Sequence, residues 1–329
     1  AAGEFRVSQS ATGTVNLNGG VLRVTKIKHS NNVEILNFNG GTLQARANVI
    51  DFITAENDNA WIKENGLIVD TNGFNVTIPK LLATDVTSVG GGLTKAGNGM
   101  LTLTAANTYT GVTSIKQGDL RINVDHSSAT GNVIVGDDEG DFGSAILSGN
   151  GIVGGPITLN IDGAIAPGNG LGVLSTGFNV SGEGELTMQL DGEVADTLEL
   201  TGSGVIDISE LNLNLSVISD PTQTSYILVE SASAITGSAF ASVSGLPAGY
   251  AVVYDNTLHQ IRIEGTPPAA GYDAFADTIT DVTKRGELDD ADSDGISNLI
   301  EYVLAGNPNL SDRQILPAFA TTATNAVFT

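Results

Sequence analysis

From Gly90 to Ile122 the chain reads GGGLTKAGNGMLTLTAANTYTGVTSIKQGDLRI, with apolar and polar residues alternating over short runs. Leu101 and Leu103 alternate with Thr102 and Thr104, Asn107 to Gly111 turns the chain, and Val112, Ser114 and Ile115 begin again. Alternation over a few residues between Gly and Asn turns is the pattern of a half-buried strand, and no run leaves room for a helix. The segment predicts three strands, wound as coils one on the next.

The same rhythm runs through residues 1–264. Asn16 to Leu22 (NLNGGVL) is echoed 21 residues later by Asn37 to Leu43 (NFNGGTL), a step typical of solenoids. Each Asn-Gly-Gly marks a corner, because glycine takes positive φ at low steric cost. Val15, Leu17, Leu22 and Val24 are expected to face inward, with Leu36, Phe38 and Leu43 one layer above. Between Asn48 and Gly66 the rhythm breaks, and the apolar clusters at Phe52-Ile53 and Trp61-Ile62 predict a decorating loop or short helical turn. Alternation resumes from Gly66 to Ile78, then at Leu186-Met188-Leu190, at Leu198 and Leu200, and at Leu211-Leu213-Leu215-Val217. From about residue 205 the segment is expected to cap the solenoid, since an open last coil exposes unpaired backbone. At about 20 to 25 residues per coil this region holds roughly 11 to 13 coils.

Residues 265–271 (GTPPAAG) read as a linker. Over 272–310 the period moves towards 3.6: Tyr272, Phe275, Ile279 and Val282 predict a short amphipathic helix. A second is expected from Asn298 to Ala305, stopped by Gly306 and Pro308. Residues 311–329 end in Ala326-Val327-Phe328-Thr329, the start of a C-terminal strand.

Composition narrows the picture. Of 329 residues 41% are hydrophobic but only 5% aromatic, so the core is built from Leu, Ile, Val and Ala in thin layers. With 41 Gly and 9 Pro, tight turns are plentiful. A formal charge of −23, with 14 Lys and Arg, excludes a nucleic-acid footprint and disfavours anionic membranes. No apolar run reaches the roughly 18 to 20 residues that span a bilayer, so no membrane insertion is expected. Cysteine is absent, which removes disulfides and thiol chemistry and leaves stability to packing. The first residue, Ala1, reads as the start of a processed or trimmed chain.

The opening segment also resembles the passenger-associated repeat of bacterial autotransporters. The pattern falls on Gly91, Leu93, Thr94, Lys95, Gly97, Gly99, Leu101, Thr102, Leu103, Asn107, Thr108, Tyr109, Thr110, Gly111, Ile115, Gly118 and Leu120. That resemblance implies an all-β, right-handed parallel β-solenoid, secreted or on the bacterial cell surface. Strings like Val69 to Ile78 precede the repeat in surface proteins of Verrucomicrobia-like and Planctomycetes-like bacteria. The Pro167-Gly168-Asn169 turn and the stretch from Ile235 to Ile263 resemble later parts of such passengers.

The strongest chemical signal lies past the linker. Asp290-Ala291-Asp292-Ser293-Asp294-Gly295, with Glu301 at the twelfth position, matches the D-x-D-x-D-G-x5-E calcium loop. Carboxylates at alternate positions converge on one hard cation, Gly295 permits the bend, and Glu301 closes the shell bidentately. The Ile296 carbonyl is the expected seventh-position ligand, and Asn298 contributes directly or through water. Ser297 stands where a paired EF-hand carries an aliphatic residue, which favours a solitary, structural Ca2+ site. The segment resembles acidic-loop modules that end similar bacterial surface proteins.

Other patterns read as scaffold. Gly149 to Gly154 satisfies G-x-G-x-x-G, but no helix follows, so it reads as a corner. A polysaccharide-degrading β-helix needs clustered Asp beside Arg or Lys. The two acidic groups, Asp191-Glu193-Asp196 and Asp137-Asp138-Glu139-Asp141, lie in Gly-rich turns without basic neighbours in sequence, and read as solvated turns. His29, His126 and His259 are isolated. Asn75, Asn179 and Asn309 open N-x-S/T sequons that read as coincidental in a bacterium. The expectation is therefore a non-enzymatic, calcium-stabilised rod that self-associates, end to end or by strand addition through Val327 and Phe328. A surface adhesin that binds glycans is the alternative, and a polysaccharide-degrading enzyme ranks behind both.

Overall fold

A computed structural model describes residues 3–8, 11–29, 32–56, 58–139, 144–267, 271–311, 315–316, 319–321 and 326–328. It separates into two compact units, Ala1–Thr266 and Pro267–Thr329.

The first unit is a parallel β-solenoid of about nine turns. Its faces are long parallel sheets. One has ten strands, from Val21–Val24 to Ile235–Thr236, and a second has nine, from Val76–Ile78 to Ser242–Ser244 with the short hairpin strand Val194–Ala195. Four- and six-stranded sheets complete the circuit. Inward residues stack in register. Leu67, Leu93, Thr113, Val133, Ile157, Val180 and Ile206 form one column, and Val76, Leu101 and Leu120 begin another. Alternation predicts this directly, because successive side chains of a strand point to opposite faces.

The Gly90–Ile122 segment holds four strands rather than three: Leu93–Ala96, Met100–Leu103, Thr113–Ile115 and Gly118–Ile122. The Gly-Asn-Gly turn at 97–99 splits what the alternation presents as one run. Leu93 pairs with Thr113 and Met100 with Asp119, so the segment contributes to two successive coils.

The coil count is lower than expected, and the step is uneven along the chain, falling to 20 residues where Leu93 pairs with Thr113 and Thr113 with Val133. Asn37 stacks on Asn16 at a separation of 21 residues, Asn65 on Asn39 at 26, and Ser244 on Asn214 at 30. Asn48 to Gly66 is not a decorating loop. Val49 bridges to Val76, Ile53 to Ile27, and Asn59–Ile62 pairs in parallel with the strand Glu34–Phe38. Phe52, Ile53 and Ile62 are fully buried. Here the coil's strands are separated by corners, so its apolar residues arrive in clusters and lose visible periodicity.

Val24, Leu36, Phe38 and Leu43 are buried as expected, whereas Val15, Leu17 and Leu22, in the first coil, are only partly covered. Val217 is 38% exposed, at the end of an otherwise inward-facing row. The last coil is followed by an antiparallel pair, Tyr250–Asp255 with Gln260–Gly265, the latter lying antiparallel on Ser225–Ser231. Tyr226 and Tyr250 bury their rings there, with centroids 6.1 Å apart.

Glycines hold the corners together through close approach. A Cβ on Gly111 would lie 2.1 Å from the Gly90 carbonyl oxygen, one on Gly131 1.9 Å from that of Gly111, and one on Gly155 2.0 Å from that of Gly131. Asparagines add a second ladder. Asn48 Oδ1 accepts the Asn75 N–H at 2.8 Å, and Asn75 Oδ1 accepts the Met100 N–H at 3.1 Å.

In the second unit α1 (Tyr272–Asp277) and α2 (Asn298–Leu304) flank a 3-10 turn at Val282–Lys284. The first helix stops before Ile279, which is buried, and Val282 is exposed rather than part of its apolar face. Tyr272, Phe275 and Tyr302 form an aromatic cluster with centroids 5.6 to 5.9 Å apart. Ala305, at positive φ, ends α2. Ala326–Phe328 pairs antiparallel with Phe319–Thr321. The terminal strand is thus half of a hairpin within the chain, with one of its two edges taken. Among the described residues no helix is long and apolar enough to cross a membrane.

Candidate functional sites

The acidic loop folds tightly on itself. Asp290, Asp292 and Asp294 bring carboxylate oxygens within 4.8 Å of one another. Asp290 Oδ2 accepts the Gly295 N–H at 2.8 Å, and Asp292 Oδ1 accepts the Asp294 N–H at 3.1 Å. Asp294 Oδ1 accepts the Ile296 N–H at 2.8 Å. Ser293 and Gly295 adopt positive φ, so the bend that glycine permits falls where the motif places it. Desolvation acts to raise the Asp290 carboxyl, but the N–H groups of Gly295, Asp294 and Ser293, with Lys284 nearby, outweigh it and hold it below the ordinary carboxylate range.

Glu301 is fully buried on α2 and lies outside that three-aspartate cluster. Ile296 is buried, with its N–H turned to Asp294. Asn298 serves as a tie: its Nδ2 donates to the carbonyls of Lys284 and Gly286 at 2.8 and 2.9 Å, and its Oδ1 accepts the Ala291 N–H at 3.3 Å. Three carboxylates converging on a short loop are a donor set of the kind that suits a hard cation such as Ca2+.

The solenoid's acidic groups divide. Asp137 and Asp138 donate their backbone N–H groups to the buried Asp162 carboxylate, and Asp141 lies outside the described residues. Asp191 and Glu193 lie at the hairpin turn. Asp196 is not a solvated turn residue. It is 1% exposed, accepts the Gly172 N–H at 2.8 Å and the Gln189 N–H at 2.7 Å, and burial pushes its carboxyl up to about 6. It lines a hollow with Asp119 and Arg121, an ion pair contributed by another coil. Sequence reading overlooked Asp119, Arg121, Ser148, Thr187 and Gln189 because they lie on successive coils. The only signal was their outward place in the alternation.

The three histidines have separate surroundings. His29 lies 3.0 Å from Glu34, and His259 takes a positive φ in a turn. His126 is 1% exposed, and burial lowers its pKa to about 4, partly offset by the Ala105 backbone and Asp125. Because the folded value lies below the ordinary 6.5, this group's stability is fully present above pH 6.5 and is lost as pH falls towards 4. Asp196 works in the opposite sense, adding stability as pH falls from about 6 towards 3.8. A His126→Asn variant is therefore expected to retain more of its own pH 7 stability at pH 4.5 than the wild type does. Urea midpoints at the two pH values read the difference, and equal retention would remove His126 as the acid-labile group.

The G-x-G-x-x-G glycines are corners: a Cβ on Gly149 would meet the Ile122 carbonyl oxygen at 2.0 Å, and one on Gly154 that of His126 at 2.2 Å. All three sequon asparagines bond backbone groups with their side chains: Asn75 that of Met100, Asn179 that of Val205, and Asn309 those of Thr278 and Thr280.

The stacked coils, glycine ladder and asparagine ladder centre on the segment whose motif is most regular. Residues 93–122 match the passenger-associated-transport-repeat family. The chain is also similar to an extracellular serine protease of Serratia marcescens, with 44% identity over 84 residues. That similarity covers 26% of this chain and 7% of the relative, so the chain spans a small part of the protein it matches. Together these findings support an autotransporter passenger-type repeat built into a β-solenoid.

Proposed function

We propose that the chain is a non-enzymatic extracellular rod, secreted or held at the bacterial cell surface, which self-associates and is stabilised by calcium in its second unit. One observation carries this reading most of the way. The register set by the passenger-type repeat at residues 93–122 continues on both sides, into coils the family match does not cover. A solenoid stacked in this way has the architecture of a spacer or stalk. The antiparallel pair after the last coil covers part of one end, which disfavours growth there. Association then runs laterally, through the other end, or through the second edge of Ala326–Phe328 by strand addition, with Val327 and Phe328 as the contact. Sedimentation velocity of the whole chain in millimolar calcium is expected to show concentration-dependent species larger than the monomer. A strictly monomeric profile across the concentration range would overturn self-association.

A second reading, adhesion to glycans, is favoured by the polar hollow on the nine-stranded face, where hydroxyl, amide and charged groups from several coils converge.

A further inference from the structure

The outward side chains of the nine-stranded sheet form columns whose neighbours are fixed by register. One column runs Thr102, Arg121, Ser148, Ala166, and the next runs Asp119, Ile146, Ala164, Glu185. At Ala166 the first column shrinks to a methyl group, and the face is hollowed there. The hollow measures about 190 Å³ and has Asp119, Arg121 and Ser148 on its wall, with Gln189 and Asp196 contributed from later in the chain. Ala166 and Pro167 give it an apolar patch.

Its polar groups are held in place but not exhausted. Arg121 Nε donates to Ser148 Oγ at 3.2 Å, Nη2 to Asp119 at 3.2 Å, and Nη1 to the Asn169 side-chain oxygen. Ser148 Oγ in turn donates to Asp119 Oδ1 at 2.6 Å. A guanidinium has five N–H donors, so two remain uncommitted on a side chain already fixed in position. Gln189 supplies the complement: its Oε1 is buried and meets no donor among the described residues. A buried acceptor of that kind needs a donor to satisfy it.

We propose that this hollow binds a single neutral pyranose unit of a glycan, an inference that rests on the adhesion reading above. Sugar hydroxyls both accept from Arg121 and donate to Gln189 and Asp119, while a C–H face of the ring lies on Ala166 and Pro167. Size limits the occupant to about one ring, since sites for larger ligands run to roughly 300–1,000 Å³. Charge excludes acidic sugars: one guanidinium faces Asp119 and Asp196 on a chain of net charge −23.

The test uses the whole chain. Saturation-transfer NMR against glucose, galactose, mannose, N-acetylglucosamine and glucuronate is expected to show binding of at least one neutral sugar and none of glucuronate. Ala166→Leu fills the hollow from an outward position, and Arg121→Gln removes the charged donors. Each is expected to weaken binding about tenfold or more, and Ala166→Leu should leave the thermal transition in place. Neutral-sugar binding unchanged in a folded Ala166→Leu protein would overturn the hollow as the site while leaving adhesion standing. Glucuronate bound as well as the neutral sugars would overturn the ligand class. No glycan bound by the wild type, in this panel or on an array, would remove the adhesion reading and this inference with it.

Discussion

Replacing Gly111 with alanine is expected to destabilise the solenoid by more than about 4 kcal/mol, enough to unfold the coils around it. The added Cβ would sit 2.1 Å from the Gly90 carbonyl oxygen and 2.3 Å from the Gly91 carbonyl carbon. Both are backbone atoms of the adjoining coil, so no side chain can rotate away to make room. Coils stack at the strand spacing of about 4.8 Å, and opening that spacing breaks ladder hydrogen bonds on both sides. Gly177→Ala is the matched control. Its Cβ would meet only Gly202 Cα at 3.9 Å, an ordinary contact, and its φ is unrestricted, so a change within about 0.5 kcal/mol is expected. Urea unfolding of the two variants beside the wild type checks the pair. Equal midpoints would mean that the corner has more room than the glycine ladder implies.

That contrast also marks what was legible in the sequence. Glycine at 111 belongs to a visible motif, and alternation at Leu101 and Leu103, or at Leu186, Met188 and Leu190, places those side chains inside, where all five are fully buried. What could not be read was the length of a coil. Turns of different size insert between short strands, so the step ranges from 20 to 30 residues while each strand keeps its own period. For the same reason Phe52, Ile53 and Ile62 looked like a break, although each is part of the core.

Lys95 shows the same limit. Its register neighbours are Val69 and Ile115, inward positions, yet it is fully buried with Nζ donating to the carbonyls of Gly97 at 2.6 Å and Gln117 at 2.7 Å. Burial lowers it to about 8, with Asp119 and Asp70 acting against that shift. A Thr-Lys pair in an alternating run reads as surface. Only the stacking of two turns reveals an ammonium that bridges coils. The hollow on the nine-stranded face was hidden in a related way. Asp119, Ser148 and Gln189 are single polar residues in three separate strands, and they become a constellation only when the register is known. The clustering of Asp290, Asp292 and Asp294 was legible because the three lie within five residues and need no long-range register.

That locality makes the effect of calcium on the second unit the other large expectation. With an affinity of roughly 0.1 to 1 mM, typical of extracellular loops, 5 mM calcium would stabilise the unit by about 1 to 2 kcal/mol through binding alone. For a unit spanning residues 267–329 that corresponds to a rise of about 8 to 15 °C in its melting temperature. The solenoid transition should not move, because the aspartate cluster lies in the second unit. Calorimetry of the whole chain in calcium, in magnesium and in chelator separates the two transitions. Asp292→Asn should abolish the calcium shift while leaving the chelator trace nearly as in the wild type. Magnesium should give little shift, because it demands a tighter octahedral shell and gives up water reluctantly. A second transition that is the same in calcium and in chelator would mean that the loop is held by its own N–H to carboxylate bonds, and calcium stabilisation of the unit would be wrong.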